Sequence, residues 1–559
     1  MQRKIAFITY ETQFAPGGGI SAVMKYLPSH IKQACGLPTL VITPFHKKIS
    51  RTKSILEDVQ LLGEIQIPLA NKDIGVKILA LEQEITWIFL HPKDENIFAG
   101  NRHPYDVGRD QEEIKTNLLR DALFFGVSCV GALSLIDSNA DWILFLQDWE
   151  AATTIFALED KKTKLSYDAF LTIHNSYDMQ VTKFDLLHLG IQPQLFSGET
   201  VLQRTLPFVK NPVFTVSDQF AFDLMDDSLQ AKVMAPHLQE TLSGRLLGVD
   251  NGLFSSLNFE PAILEATRKG NFDHLNMWKV EKRRKALQTL NEFSPSPEKP
   301  VWGNPGKFQP ENKPWFIMAG RDDPRQKGYD LAYLSISSYL TLKDDACFLM
   351  FPIPGDEGLD GLRFLQILAN RYPENVLVLP FLFQEGYLAA LQGASYGIMP
   401  SFYEPFGMAN EFYMNGAVGI GRATGGIIQQ IIPLRSTASF SHAVKLRAEK
   451  YYPNSSSPTG LLFREKDGIP SAVSDWKEIA RSDYRIDGKG LDRIQQRSSL
   501  RLFADMASEL YISIIDGVRV YYHNRTLYNK MLIDGIDYLN NTFSWYRTAQ
   551  TYLRFIDLS

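Results

Sequence analysis

The chain has 559 residues, of which 45% are hydrophobic, 22% charged and 12% aromatic, enough for two large domains or three smaller ones. A net charge of −5 gives a nucleic-acid partner no bulk electrostatic support. Three scattered cysteines, Cys35, Cys129 and Cys347, argue against a disulfide framework or a Cys/His zinc site and fit a reducing cytoplasm.

The first residues, MQRKIAFITYETQ, read as a strand over 4–9 and not as a signal peptide. Further runs rich in Ile, Val, Leu and Phe predict buried parallel strands at 39–43, 142–146, 169–173 and 212–216. The longest apolar run, 122–136, is too short to span a bilayer and carries two glycines and two serines. It reads as a buried core helix, so no membrane span is expected. The alternation pauses between 255 and 312. There a charged helix around Glu281 precedes SPSPEKPVWGNPGKFQPENKP, whose Pro and Gly read as a linker or mobile insertion. Strands resume at 315–319, 346–351, 376–379, 396–400 and 417–421. The stretch 435–525 mixes polar loops with helices. Two sets of strand–helix units predict an α/β protein with two Rossmann-like, doubly wound domains facing across a cleft.

Four segments carry candidate chemistry. Gly17-Gly18-Gly19 follows the first strand and opens a helix, where backbone can approach an anion or a sugar. It is not a nicotinamide fingerprint: the loop is long, and the second strand ends without a ribose-binding acid. Arg321, Arg325 and Lys327 crowd one loop after a buried strand, where α/β domains bind ligands. They suit a leaving diphosphate without a metal or cofactor. Glu404 stands between a strand and a helix, in Glu404-Pro405-Phe406-Gly407. It can accept from sugar hydroxyls or balance positive charge on a sugar ring. Its plainer reading is a carboxylate stabilised by a helix N-terminus. Thr424-Gly425-Gly426 makes a further glycine turn whose amides could cradle phosphate.

The ordered motifs resemble the bacterial glycogen synthase and plant starch synthase family, retaining glycosyltransferases of the GT-B type. The matching pieces are GGGISAVMKYLP (17–28), LVITP (40–44), QDWEAATT (147–154), LTIHNSY (171–177), FTVSDQFA (214–221), GVDNGLF (248–254), AGRDDPRQKGYDL (319–331), GASYGIMPSFYEPFGMANEF (393–412), RATGGI (422–427), TGLLF (459–463) and NNTFSWYRTAQTY (540–552). The resemblance implies transfer of glucose from ADP-glucose or UDP-glucose, the nucleotide sugar donor, to the non-reducing end of an α-1,4-glucan acceptor. It implies leaving-group stabilisation by Arg321 and Lys327, or Arg325 and Lys327, and a catalytic role for Glu404. It also implies substrate contacts from Gly18, Gly19, Glu150, His174, Phe406, Gly407, Thr424, Gly425 and Gly426. Its domains would be 1–254, completed by a helix over 530–559, then a 255–312 linker, then 313–529.

Departures gather in the first domain. Pro16 stands where the family has a lysine, and Glu150 where it has a histidine. The pair shifts local charge by roughly two units towards negative. Arg120 or Lys25 are candidates to compensate. Two other readings therefore stand beside the synthase: a transferase of this descent with another donor or glycan acceptor, and a non-catalytic glucan-binding relative.

Overall fold

The computed structural model describes residues 2–70, 72–109, 111–160, 163–192, 198–308, 310–355, 357–481 and 490–556. The chain divides into two compact units, Met1–Gly252 with Phe543–Ser559, and Leu253–Thr542.

Among the described residues the first unit holds nine strands: β1 (Arg3–Ile8), β2 (Thr39–Pro44), β3 (Gln60–Leu69), β4 (Lys72–Glu82), β5 (Thr86–Pro92), β6 (Asp141–Gln147), β7 (Ser166–Ile173), β8 (Val213–Thr215) and β9 (Leu246–Gly248). They form one sheet in the order β3-β4-β5-β2-β1-β6-β7-β8-β9. From β5 to β9 every pairing is parallel; β3 and β4 form an antiparallel ribbon at one edge. The middle strands are apolar on both faces because both faces are covered. Ile5, Phe7, Ile42 and Phe145 are buried, and the rings of Phe7 and Phe145 stack at 4.9 Å. The apolar Gln111–Asp137 helix has the length and composition to cross a membrane, yet it packs as a core helix. Thr153 Oγ1 donates to Ala122 O at 2.7 Å, and a Cβ on Gly126 would meet Thr153 backbone at 2.6 Å.

The second unit holds β10 (Trp315–Arg321), β11 (Cys347–Ile353), β12 (Val376–Val378), β13 (Tyr396–Met399), β14 (Val418–Arg422) and β15 (Leu461–Phe463). Their order is β12-β11-β10-β13-β14-β15, all parallel. Read from the first strand of the unit, this is the doubly wound order 3-2-1-4-5-6. The parallel part of the first sheet repeats it. Each sheet therefore reverses direction once, between β1 and β6 and between β10 and β13. Loops after those strands diverge there, leaving room for a ligand.

Two boundaries differ from expectation. The 255–312 stretch is an integral part of the second unit, not a linker or mobile insertion. Its Asp273–Glu292 helix buries Lys279, whose ammonium donates to Ala394 O at 2.5 Å and also to Gly416 O. Arg283 bridges Gly393 O at 2.9 Å and Lys313 O at 3.0 Å. Trp302 exchanges backbone hydrogen bonds with Val378, and its side chain is buried. A Pro- and Gly-rich composition signals the absence of regular structure, not the absence of anchors. At the C-terminus only Phe543–Ser559 joins the first unit, not the whole of 530–559. The Arg525–Thr542 helix stays with the second, where Gly535 packs against the Tyr413 ring. In the Trp545–Leu553 helix, Trp545 stacks on Tyr26 at 5.5 Å and Tyr552 lies 4.3 Å from Phe214.

Candidate active site

In the second unit the site is built on loops that leave β10, β13 and β14, three neighbours in the sheet. The β10 loop turns back at Gly328, whose φ of 69° is left-handed and whose added Cβ would meet Pro400 O at 2.3 Å. That close approach sets the β10 loop against the start of the β13 loop. Phe402 N then donates to Gln326 O at 2.7 Å. With the two loops tied, the Lys327 ammonium lies 2.7 Å from Glu404 Oε2. Ser401 Oγ donates to the same oxygen at 2.9 Å, and Gln326 Nε2 reaches the other at 3.4 Å. Glu404 is buried and the Lys327 side chain is about a quarter exposed, at 24%. A carboxylate here is thus held in one place by three donors.

The third loop packs beneath the first two. Gly425 has φ 45°, and an added Cβ would fall 1.6 Å from Glu404 O. Gly426 N donates to Glu404 O at 3.2 Å, and its own Cβ position lies 2.2 Å from Phe406 O. Gly407, at φ 88°, abuts the Glu404 side chain. Phe406 is buried, with its ring 5.4 Å from Phe254. The structure thus brings Lys327, Glu404, Phe406, Gly407, Thr424, Gly425 and Gly426 together. It also corrects one expectation. Thr424 N donates to Arg422 O at 2.8 Å and Gly426 N to Glu404 O. Of the amides expected to cradle phosphate, Gly426 N instead braces the acidic turn and Thr424 N is taken up by its own loop.

The other two cations differ from Lys327. Arg325 sits beside Asp323, 3.5 Å away, with its side chain 46% exposed. Arg321 closes β10 opposite Ile353. A residue not singled out from sequence joins the group: Glu411, in the first turn of the Ala409–Met414 helix. Burial pushes its carboxyl up to about 7, with the charge of Lys327 pulling the other way. Its signal was the spacing, seven residues after Glu404 on the same strand–turn–helix.

The first unit repeats the pattern with acids. The Gly17–Gly19 loop is closed by Glu11, also unanticipated. Glu11 Oε1 accepts from Gly18 N at 2.9 Å and Ser21 N at 2.8 Å, at the head of the Gly19–Cys35 helix. The loop's own carboxylate takes the place expected for a substrate anion. A side chain on Gly17 would strike Tyr105 and Glu11, whereas Gly19 has open space beside it. At the end of β6, Asp148 has a left-handed φ of 60°, strained for a residue with a side chain. The strain is held by His174 N, which donates to Asp148 Oδ1 at 2.5 Å. Gln147 Nε2 donates to Phe145 O, so Gln147 Oε1 faces His174 Nε2 at 2.7 Å and that nitrogen carries the proton. Burial holds His174 down at about 3, so the ring is neutral.

Glu150 and Asp148 are buried together near Glu11. Burial raises both carboxyls well above the ordinary range; the charge of Glu11 adds to it for both, and that of Asp148 for Glu150. The pair therefore keeps a proton at neutral pH, and the charge change expected from the Glu150 substitution is not fully expressed. Arg120 does not compensate either: it lies 2.6 Å from the fully buried Asp121 and donates to Asn96 O.

A pH dependence follows. Raised carboxyls bind protons in the folded state that the unfolded chain releases, so stability falls as pH rises through their folded values. Buried neutral His174, and His46 held at about 4, act below the ordinary histidine value, where only the unfolded chain takes protons. Above the ordinary histidine pKa, about 6.5, the histidines no longer contribute to the slope, so the raised carboxyls set it and stability declines as pH rises. Glu150→Gln removes up to one proton from the decline, about 1.4 kcal/mol per pH unit. Urea unfolding at several pH values between 6.5 and 8.5 reads this slope; an unchanged slope would show Glu150 to be ionised when folded.

Among the described residues no group of three or more His, Cys, Asp or Glu is placed to hold a metal ion.

Comparison with known proteins bears on the fold and the descent of the chain. A family model for the starch synthase catalytic domain matches residues 4–240. A glycogen synthase of Kosmotoga olearia is 23% identical over 99% of this chain and 97% of its own length. One of Chlorobaculum parvum is 24% identical, over 77% of this chain and 85% of its own. The solved catalytic domain of starch synthase IV from Arabidopsis thaliana, bound to ADP and acarbose, shares the fold with a TM-score of 0.61 at 17% identity, covering 95% of this chain and all of that one. Two doubly wound units of this kind make up the GT-B fold. Within that fold the chain is similar to glycogen synthases along its length and to the starch synthase catalytic domain over its first unit.

Proposed function

We propose that the protein transfers glucose from a nucleotide-glucose, ADP-glucose or UDP-glucose, to the non-reducing end of an α-1,4-glucan, with retention of configuration. The observation that carries this reading is the Lys327–Glu404 pair at the switch point of the second sheet. A lone surface ion pair would be exposed and weak. This one is braced by Ser401, Gln326 and a glycine turn that tolerates no side chain.

Lys327 would neutralise the departing diphosphate, aided by Arg321 or Arg325. An ammonium has three protons, so it can share itself between Glu404 and a phosphate oxygen. Glu404 would balance the positive charge that grows on the sugar ring as the bond to the diphosphate breaks. Phe406, Gly407 and the Thr424–Gly426 turn fix the carboxylate. In the first unit, Glu11 and Asp148 offer acceptors and Glu150 a donor to sugar hydroxyls, with Gly18, Gly19 and His174 shaping their surroundings. A cytoplasmic location belongs to the same proposal.

Incubation with radiolabelled ADP-glucose or UDP-glucose and glycogen should place label in polymer. Donor hydrolysis with no labelled polymer would assign a different acceptor. Absence of both with every nucleotide sugar would end the reading.

A further inference from the structure

The β10 loop carries all three candidate cations, and its conformation is set from a distant part of the chain. The Gly490–Ser498 helix presents two arginines one turn apart, Arg493 and Arg497, each only 1% exposed. Arg493 Nη2 lies 3.3 Å from Asp322 Oδ1, at the start of the loop. Its Nε lies 3.7 Å from Asp330 Oδ2, just past the loop's end. Arg497 Nη1 donates to Pro324 O at 2.6 Å, in the middle of the loop, and to Asp330 Oδ2 at 2.5 Å. Its Nη2 donates to Ile479 O at 2.9 Å. The Arg497 guanidinium also lies over the ring of Phe402, 5.4 Å away, in the loop that bears Glu404.

A buried ion pair is a costly way to gain stability, since apolar residues of like volume serve as well or better. What two arginine forks supply is geometry: several fixed donors aimed at chosen acceptors. Here the acceptors are the first side chain, a middle carbonyl and the flanking acid of one loop. We infer that Arg493 and Arg497 are positioning residues, which clamp the 321–328 loop and so hold Lys327 against Glu404. The inference rests on the function proposed above for that pair.

Arg497→Lys tests it. Lysine keeps a charge for Asp330 but cannot span Pro324 O and Ile479 O together. Amide exchange in residues 321–328, including Lys327 N bonded to Asp323 O, should quicken about tenfold while the melting temperature stays close to that of the parent. The turnover number should fall about tenfold with the glucan KM unchanged, because the loop faces the donor. In a Lys327→Ala background the same change should cost less than about twofold, since both act through one group. Equal losses in both backgrounds, or unchanged exchange in the loop, would overturn the clamp. Should the parent transfer no sugar, the functional reading fails and the exchange measurement alone decides the clamp.

Discussion

Lys327→Ala lowers the turnover number about a hundredfold to a thousandfold, while the donor KM changes far less. That is the size found when a fixed charge aimed at a developing anion is removed from a water-poor site. The split between the constants follows from when the charge matters. The ammonium already has Glu404 as a partner before any donor arrives, at 2.7 Å. In the proposed reaction its contact with the diphosphate would strengthen only as the sugar–phosphate bond lengthens and negative charge collects on the leaving oxygen. An interaction made mainly in the transition state appears in the turnover number. Initial-rate kinetics with saturating glucan measure both constants. A raised KM with unchanged turnover would assign Lys327 to donor binding alone. Glu404→Gln keeps the shape and the contact from Ser401 but removes the negative charge. It should cost a similar factor, and the double variant should lose far less than the product of the two, as residues acting as one unit do. The fold should survive both changes: Lys327 is partly exposed, and Ser401 and Gln326 still partner residue 404.

Why the sequence revealed the pair but not its supports is a matter of separation along the chain. The strands β1, β2, β6, β7, β10, β11 and β13 are continuous apolar runs, because a parallel strand covered on both faces has no reason to alternate. Lys327 and Glu404 follow such strands directly, so their position was readable. The β3–β4 ribbon was not: β3 sits at the sheet edge with Leu61 and Leu62 exposed, and its pattern resembles a polar connection. The three-residue β9 and β15 were not read as strands, although the equally short β8 and β12 were. Glu11 looked like one polar residue in a loop, and only its two bonds to Gly18 and Ser21 amides show that it closes the glycine turn. Arg493 meets Asp322 across 171 residues of sequence, a contact that no local period encodes. The motif resemblance pointed to a family, and the three-dimensional arrangement supplied the bracing.

Gly425→Ala is the change expected to disturb the acidic turn most with the fewest atoms. Two costs coincide at this position. The backbone is left-handed, at φ 45°, which penalises any L side chain by about 1–2 kcal/mol. The added methyl carbon would also sit 1.6 Å from Glu404 O, which is backbone and cannot rotate away. One of the two chains must therefore move by more than an ångström. The Gly426 amide that donates to Glu404 O would be pulled from its acceptor, and Phe406 O, only 2.2 Å from the Cβ position of Gly426, blocks movement in that direction. The turn bearing Glu404 can yield, because side chains that rotate hold much of it: Ser401, Gln326 and Lys327 on the carboxylate and Gln430 on Phe406 O. Displacing the carboxylate by an ångström breaks the three contacts that aim it. A misplacement of that size costs about a hundredfold in rate even where every functional group remains. The expected result is a folded protein with activity reduced at least as far as in Glu404→Gln, and with an unfolding midpoint lowered by a few degrees, corresponding to about 1–3 kcal/mol. Gly468→Ala is the control, because it shares the left-handed backbone, at φ 79°, but has nothing within 4 Å of its added carbon. Parental activity in Gly425→Ala would mean that the acidic turn tolerates displacement, and that Glu404 is not held where the chemistry requires it.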